Sequence, residues 1–95
     1  MNKLLIEWGK IDRTEALEAS VEAKAKKVLK LHPDATKLIV TLQIINPLSS
    51  RGPATQKVSM ELRMPNRQDI RSSKEGPNIY SLIGEAEKAL LSQRA

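Results

Sequence analysis

The sequence predicts an α+β domain of two layers, β-α-β-β-β-α, with a four-stranded mixed sheet and both helices on one face. Three observations predict it. Short segments alternate apolar and polar residues at the period of a strand, while two longer ones repeat apolar residues at helical spacing. The strand segments have one apolar and one polar face, which implies a sheet covered on one side only. The first two strands are separated by a helix and so are expected as parallel neighbours with a right-handed crossover, whereas the next two connections are hairpins.

Each element follows from its residues. Lys3 to Trp8 is a strand with Leu4, Ile6 and Trp8 on one side and Lys3 and Glu7 on the other. Thr14 is an N-cap, with Glu15 placed to favour the positive helix end. The helix runs to Leu31 with Leu17, Val21, Val28 and Leu31 as its apolar stripe, and stops at His32-Pro33 because proline disfavours helical geometry in the residue before it. Lys37 to Ile45 buries Leu38, Val40, Leu42 and Ile44; Gln56 to Met64 buries Val58, Met60, Leu62 and Met64 and shows Lys57, Ser59, Glu61 and Arg63 outward. Pro47, Gly52 and Pro53 mark 46–53 as a loop. Pro65-Asn66 makes a tight turn into a more polar strand, Gln68 to Ser73, with Ile70 inward. The last helix opens at Gly76-Pro77 with Pro at its first position, and its stripe is Ile79, Leu82, Ile83, Ala86 and Leu90.

The chain of 95 residues makes one domain, 1–95, and the lack of Phe beside one Trp and one Tyr makes its core aliphatic. The absence of Cys excludes disulfides, thiolate zinc sites and cysteine catalysis. No apolar run is long enough to span a membrane, and Glu7 comes too early for a secretion signal, so a cytoplasmic protein is expected. Catalysis is poorly supplied. The single His, His32, sits at a helix C-terminus, where its simplest role is capping. There is no metal-binding histidine pair, no glycine-rich phosphate loop and no nucleophile elbow. No enzyme activity, cofactor, metal or small-molecule substrate is expected.

Charge is more informative. The net charge is +5. Residues 1–23 carry three bases and five acids, residues 24–74 eleven and three, and residues 75–95 two and three, so the middle segment holds +8. Such a concentration points to an anionic partner, nucleic acid first, although many soluble domains carry similar charge for solubility. The first helix also sorts its charges. Glu15, Glu18 and Glu22 fall on one flank of the stripe, and Lys24, Lys27 and Lys30 on the other, spreading outward. Lysine stems covering core edges explain part of this pattern; a basic flank beside the second helix would also form a groove for a phosphate backbone. Arg67, Arg71 and Lys74 add positive charge near the last strand. Lys74 shares parity with Ile70 on the helix side, and Arg71 has the opposite parity. Trp8 reads as core, and Tyr80 as either a core-edge aromatic or a contact to a sugar or base. With so few stacking platforms, backbone and shape recognition of folded RNA fits better than reading of single strands.

The topology is similar to the double-stranded-RNA-binding type with an extra leading strand. The run Thr14-Glu15-Ala16-Leu17, then Val21-Glu22, Lys24 and Lys27, together with Ile70, Ser73, Glu75-Gly76, Tyr80 and Ile83, resembles the ribosome hibernation-promoting factors, also called the sigma-54 modulation or ribosome-associated inhibitor family. The resemblance covers nearly the whole chain and implies a short-form member that binds the small ribosomal subunit and its RNA in the decoding region. There it would block the messenger- and transfer-RNA sites and silence idle ribosomes. It further implies RNA contacts at Lys24, Lys27, Lys30 and Lys74, with Arg71 a weaker candidate. Asn78 stands where the family usually has Asp, Pro77 precedes it, Gly84 replaces a usual acid, and the 46–53 loop is long and Pro-rich. An end at Ala95 is expected to leave the chain without the dimer-forming domain of the long forms. The rival readings are a generic RNA- or DNA-binding domain of the same fold, and a protein-interaction or dimerisation module that uses Leu5, Ile39 and Ile45 on the exposed sheet face. The oligomeric state is not specified by the sequence.

Overall fold

A computed structural model describes residues 3–45 and 55–93; the 46–53 loop expected from sequence lies outside them. The elements are β1 (Leu4–Trp8), α1 (Glu15–Leu31), β2 (Lys37–Ile44), β3 (Gln56–Arg63), β4 (Ile70–Gly76) and α2 (Ile79–Leu91). The sheet order is β1-β2-β3-β4. β1 pairs parallel with β2, and β2–β3 and β3–β4 are antiparallel. The α+β architecture is the one expected.

Local chemistry explains the boundaries. The Leu17 N–H donates to Thr14 Oγ1 at 3.1 Å, and Glu15 and Glu18 sit in the first turn of α1. At the other end the backbone N–H of His32 donates to the Val28 carbonyl at 3.0 Å. Asn66 adopts φ 59°, the left-handed region that Asn tolerates better than most residues. At Gly9 the N–H donates to the Leu42 carbonyl, and a Cβ would meet that oxygen at 3.1 Å, so a side chain would crowd the β1–β2 pairing.

Helix and sheet enclose an aliphatic core. Leu17, Val21, Ala25 and Val28 of α1 and Ile79, Leu82, Ile83, Ala86 and Leu90 of α2 pack with the alternate residues Leu38, Val40, Leu42, Val58, Met60 and Leu62 of the two central strands. Trp8 is half-buried against this cluster, and the Arg13 guanidinium lies 5.8 Å from its ring centroid, within cation–π range. Each buried aliphatic side chain contributes about 1.5–3 kcal/mol of transfer free energy.

Several expectations need correction. Leu31 is 57% exposed and Ile44 42%: both have the right parity but lie at element ends where the opposite layer no longer covers them. β4 begins at Ile70, later than expected, and continues through Lys74 and Glu75 to Gly76, held by its ladder with β3. α2 begins at Ile79, because Asn78 is its N-cap and accepts from the N–H groups of Tyr80 and Ser81. Pro77 therefore precedes the helix and does not occupy its first position.

The strand directions also set the helix directions. α1 runs back between two parallel strands. β4 points the same way as β2, so α2 runs back as well, and its following Gln93 donates from Nε2 to the Arg71 carbonyl. The two helices are thus parallel, and their C-termini lie at the lower end of the sheet, where β2 begins.

Candidate nucleic-acid interface

The five cations singled out from sequence fall in three places. Lys24, Lys27 and Lys30 form a graded stripe on α1, with Lys24 half-buried and the other two exposed. Lys27 Nζ lies 3.8 Å from Glu87 Oε1 of α2, so at Lys27 this flank meets the second helix. Lys30 is in the last turn of α1, where a cation is favoured by the negative helix end.

The α2 side of this seam was not legible from α1. Glu87 is 1% exposed, and its Oε2 has no hydrogen-bond partner. Lys27 is therefore no free surface cation, because it is the sole ion partner of a buried carboxylate among the described residues. Tyr80, Gly84 and Leu91 lie seven and three residues before Glu87 and four after it, on the same side of the helix. A Cβ at Gly84 would meet nothing within 4 Å, so the seam is open there, and Tyr80 is 48% exposed beside it.

Lys74 lies elsewhere. It stands opposite Val58 in the β3–β4 ladder, hence on the helix side, but at the free edge of β4. It shares a shallow concavity with Glu85, Lys88, Ala89 and Ser92 of α2 and its C-cap. α2 thus stands between Lys74 and the α1 lysines. Lys88 extends this second cationic spot and was not picked out from sequence; its helical phase relative to Lys74 was invisible without the β4–α2 packing, which Ser72 fixes by donating from Oγ to the Ala86 carbonyl at 2.8 Å.

Arg71 is on the opposite face altogether. On the open sheet its Nε lies 3.7 Å from Glu61 Oε1, while Arg63 Nε donates to Glu61 Oε2 at 2.9 Å. Arg67 is tied to Asp34 at 3.2 Å across the lower end. What the helix side can do is hold anions by charge and hydrogen-bond donation. No group of three or more His, Asp or Glu that could hold a metal occurs among the described residues, and no helix there is long and apolar enough to cross a membrane.

Comparison with known proteins bears on the family and the fold. The model of a family described as sigma 54 modulation protein / S30EA ribosomal protein matches residues 4–93. A ribosomal subunit interface protein from Coxiella burnetii superposes with TM-score 0.77 at 17% identity, covering 95% of this chain and 90% of that one. The N-terminal domain of Protein Y from Thermus thermophilus superposes with TM-score 0.66, also at 17% identity, covering 93% and 89%. At that identity the two structures speak for the fold. No curated protein sequence matches.

Proposed function

Because the chain belongs to the sigma 54 modulation protein / S30EA ribosomal protein family, a family of ribosome-associated factors, we propose that it is a translation inhibitor acting by occupancy. It binds small-subunit ribosomal RNA near the decoding region and blocks the messenger- and transfer-RNA sites, with no chemistry of its own. Such a role belongs in the cytoplasm.

The observation that carries this reading is the lysine flank of α1 along the seam with α2. Lys24 and Lys30 stand three residues to either side of Lys27 on α1, and the acid that Lys27 meets on α2, Glu87, is buried. Phosphates would meet cations there without a competing surface carboxylate. Lys27 contributes with part of its charge committed to Glu87. Lys74 with Lys88 forms a second contact across α2, and Tyr80 offers a sugar or base contact at the upper part of the seam. A fold of two packed layers supplies the rigid body that excludes other ligands.

Purified small and large ribosomal subunits, titrated with the protein across a salt series, test this reading. Each phosphate neutralised releases condensed counterions, so binding to small subunits should weaken steeply with salt. Equal affinity for both subunits, or no binding at low salt, overturns it.

A further inference from the structure

The open face of the sheet has a charge arrangement that the helix-side reading does not use. The register places Lys37 directly opposite Arg63, and Glu61 directly opposite Arg71. Like charges in directly opposed positions destabilise a sheet unless something neutralises them. Among the described residues Glu61 is the only carboxylate within ion-pair distance of these cations, and it already bridges Arg63 and Arg71. Lys37 has no ion partner among the described residues. The lower half of the face therefore carries three cations around one acid, over a concave trough of about 690 Å³.

The rest of the trough indicates which anion fits. The next row holds Glu7, Thr41, Ser59 and Ser73; Thr41 donates from Oγ1 to Glu7 Oε1 at 3.1 Å, and the Ser59 and Ser73 hydroxyls can donate to phosphate oxygens or pair with a ribose 2′-hydroxyl. No aromatic side chain lines the trough, so unpaired bases have nothing to stack on. Its apolar lining is little more than Leu5 and Ile39, of which Leu5 is 40% exposed, too little for the packed apolar centre of a protein interface. The same lower end of the molecule carries Lys30 at the C-terminus of α1, so positive charge continues from the helix layer round to the sheet.

We propose that this face is a second RNA-backbone surface, in which Lys37, Arg63 and Arg71 hold phosphates on the side of the molecule opposite the α1 lysines. It rests on the ribosome-binding reading and deepens it: the domain is held between two RNA walls, and Glu61 tunes the second by competing with phosphate for both guanidinium groups.

The test measures affinity for purified small subunits across a potassium chloride series. The triple variant Lys37→Gln, Arg63→Gln, Arg71→Gln should lower the steepness of log K against log salt by about 2–3, at roughly 0.7–0.9 for each phosphate contact. Glu61→Gln should act oppositely and tighten binding several-fold, a result that a merely structural role for Glu61 would not give. The helix variant Lys24→Gln, Lys30→Gln is the reference. If it loses slope while the sheet variants bind as wild type, the second surface is overturned and the ribosome reading stands. If wild type itself binds without salt dependence, the ribosome reading fails first. If the sheet variants instead change the sedimentation of the free protein and leave subunit binding intact, the face is a protein interface and the proposal is overturned.

Discussion

Glu87 is the one charged residue buried among the described residues, and its single cation, Lys27, has a side chain that is 61% exposed. Removing one partner of a buried ion pair leaves an uncompensated charge, whereas replacing the carboxylate by an apolar side chain of similar size is often neutral or stabilising. Since water already screens Lys27, Lys27→Ala should cost about 1–2 kcal/mol, toward the lower end for such losses. Lys27→Glu should cost more, because it faces a second carboxylate toward the first. Glu87→Leu should leave stability within about 1 kcal/mol of wild type or raise it. Urea denaturation midpoints decide, and a severe loss from Glu87→Leu together with no change in Lys27→Ala would show that the pair is misassigned. Helical spacing alone places Lys27 on the outward-spreading lysine flank of α1 and gives it no buried partner. That partner is sixty residues away on another helix, and no local periodicity could reveal it.

The elements were legible where burial imposed a period. The stripes of both helices and the inward residues of β2 and β3 follow directly from spacing, since one face had to be apolar. Legibility failed at element ends. β4 carries Lys74 and Glu75 on successive positions with no apolar residue beside them in the sequence, so nothing local marks them as strand; pairing with Val58 and Lys57 of β3 does. Ile44 has core parity, but the strand outruns its cover. In α2 the start was misplaced by Pro77, although Asn78 is the better cap. No acid occupies the first turn of that helix, so the cap carries more of the stabilisation there: Asn78→Ala should cost about 1 kcal/mol. Gly84→Ala should gain about 1 kcal/mol, because the added methyl meets open space and glycine is a poor helix former. In a domain this small that corresponds to about 4–8 °C in Tm, readable by thermal denaturation. A lower Tm for Gly84→Ala would mean that the seam is closed at that point.

At the scale of the whole molecule, the fold converts a charge gradient along the chain into one across the body. The basic middle segment supplies the α1 lysines, the lower end of the sheet and the edge beside α2. The acidic segment 1–23 supplies Glu15 and Glu18 at the N-terminus of α1, where they also serve the helix dipole. Composition made the positive charge legible, and parity placed Arg71 and Lys74 on opposite faces. It could not show that the five selected cations divide among the α1 flank, the β4 edge and the open sheet, because that division depends on the sheet order and on α2 lying between two of the groups. Nor could it show Lys37 opposed to Arg63, since the register across the β2–β3 connection is set by pairing. The decisive measurement is the salt dependence of binding to purified small ribosomal subunits for wild type, for Lys24→Gln with Lys30→Gln, and for Lys10→Gln, an exposed cation in the β1–α1 connection. The double variant should bind more weakly, with its slope lowered by about 1.4–1.8, at roughly 0.7–0.9 per lost phosphate contact, while Lys10→Gln keeps the wild-type slope. Equal slopes in all three proteins, with folding intact by circular dichroism, would contradict a specific RNA-facing flank on α1.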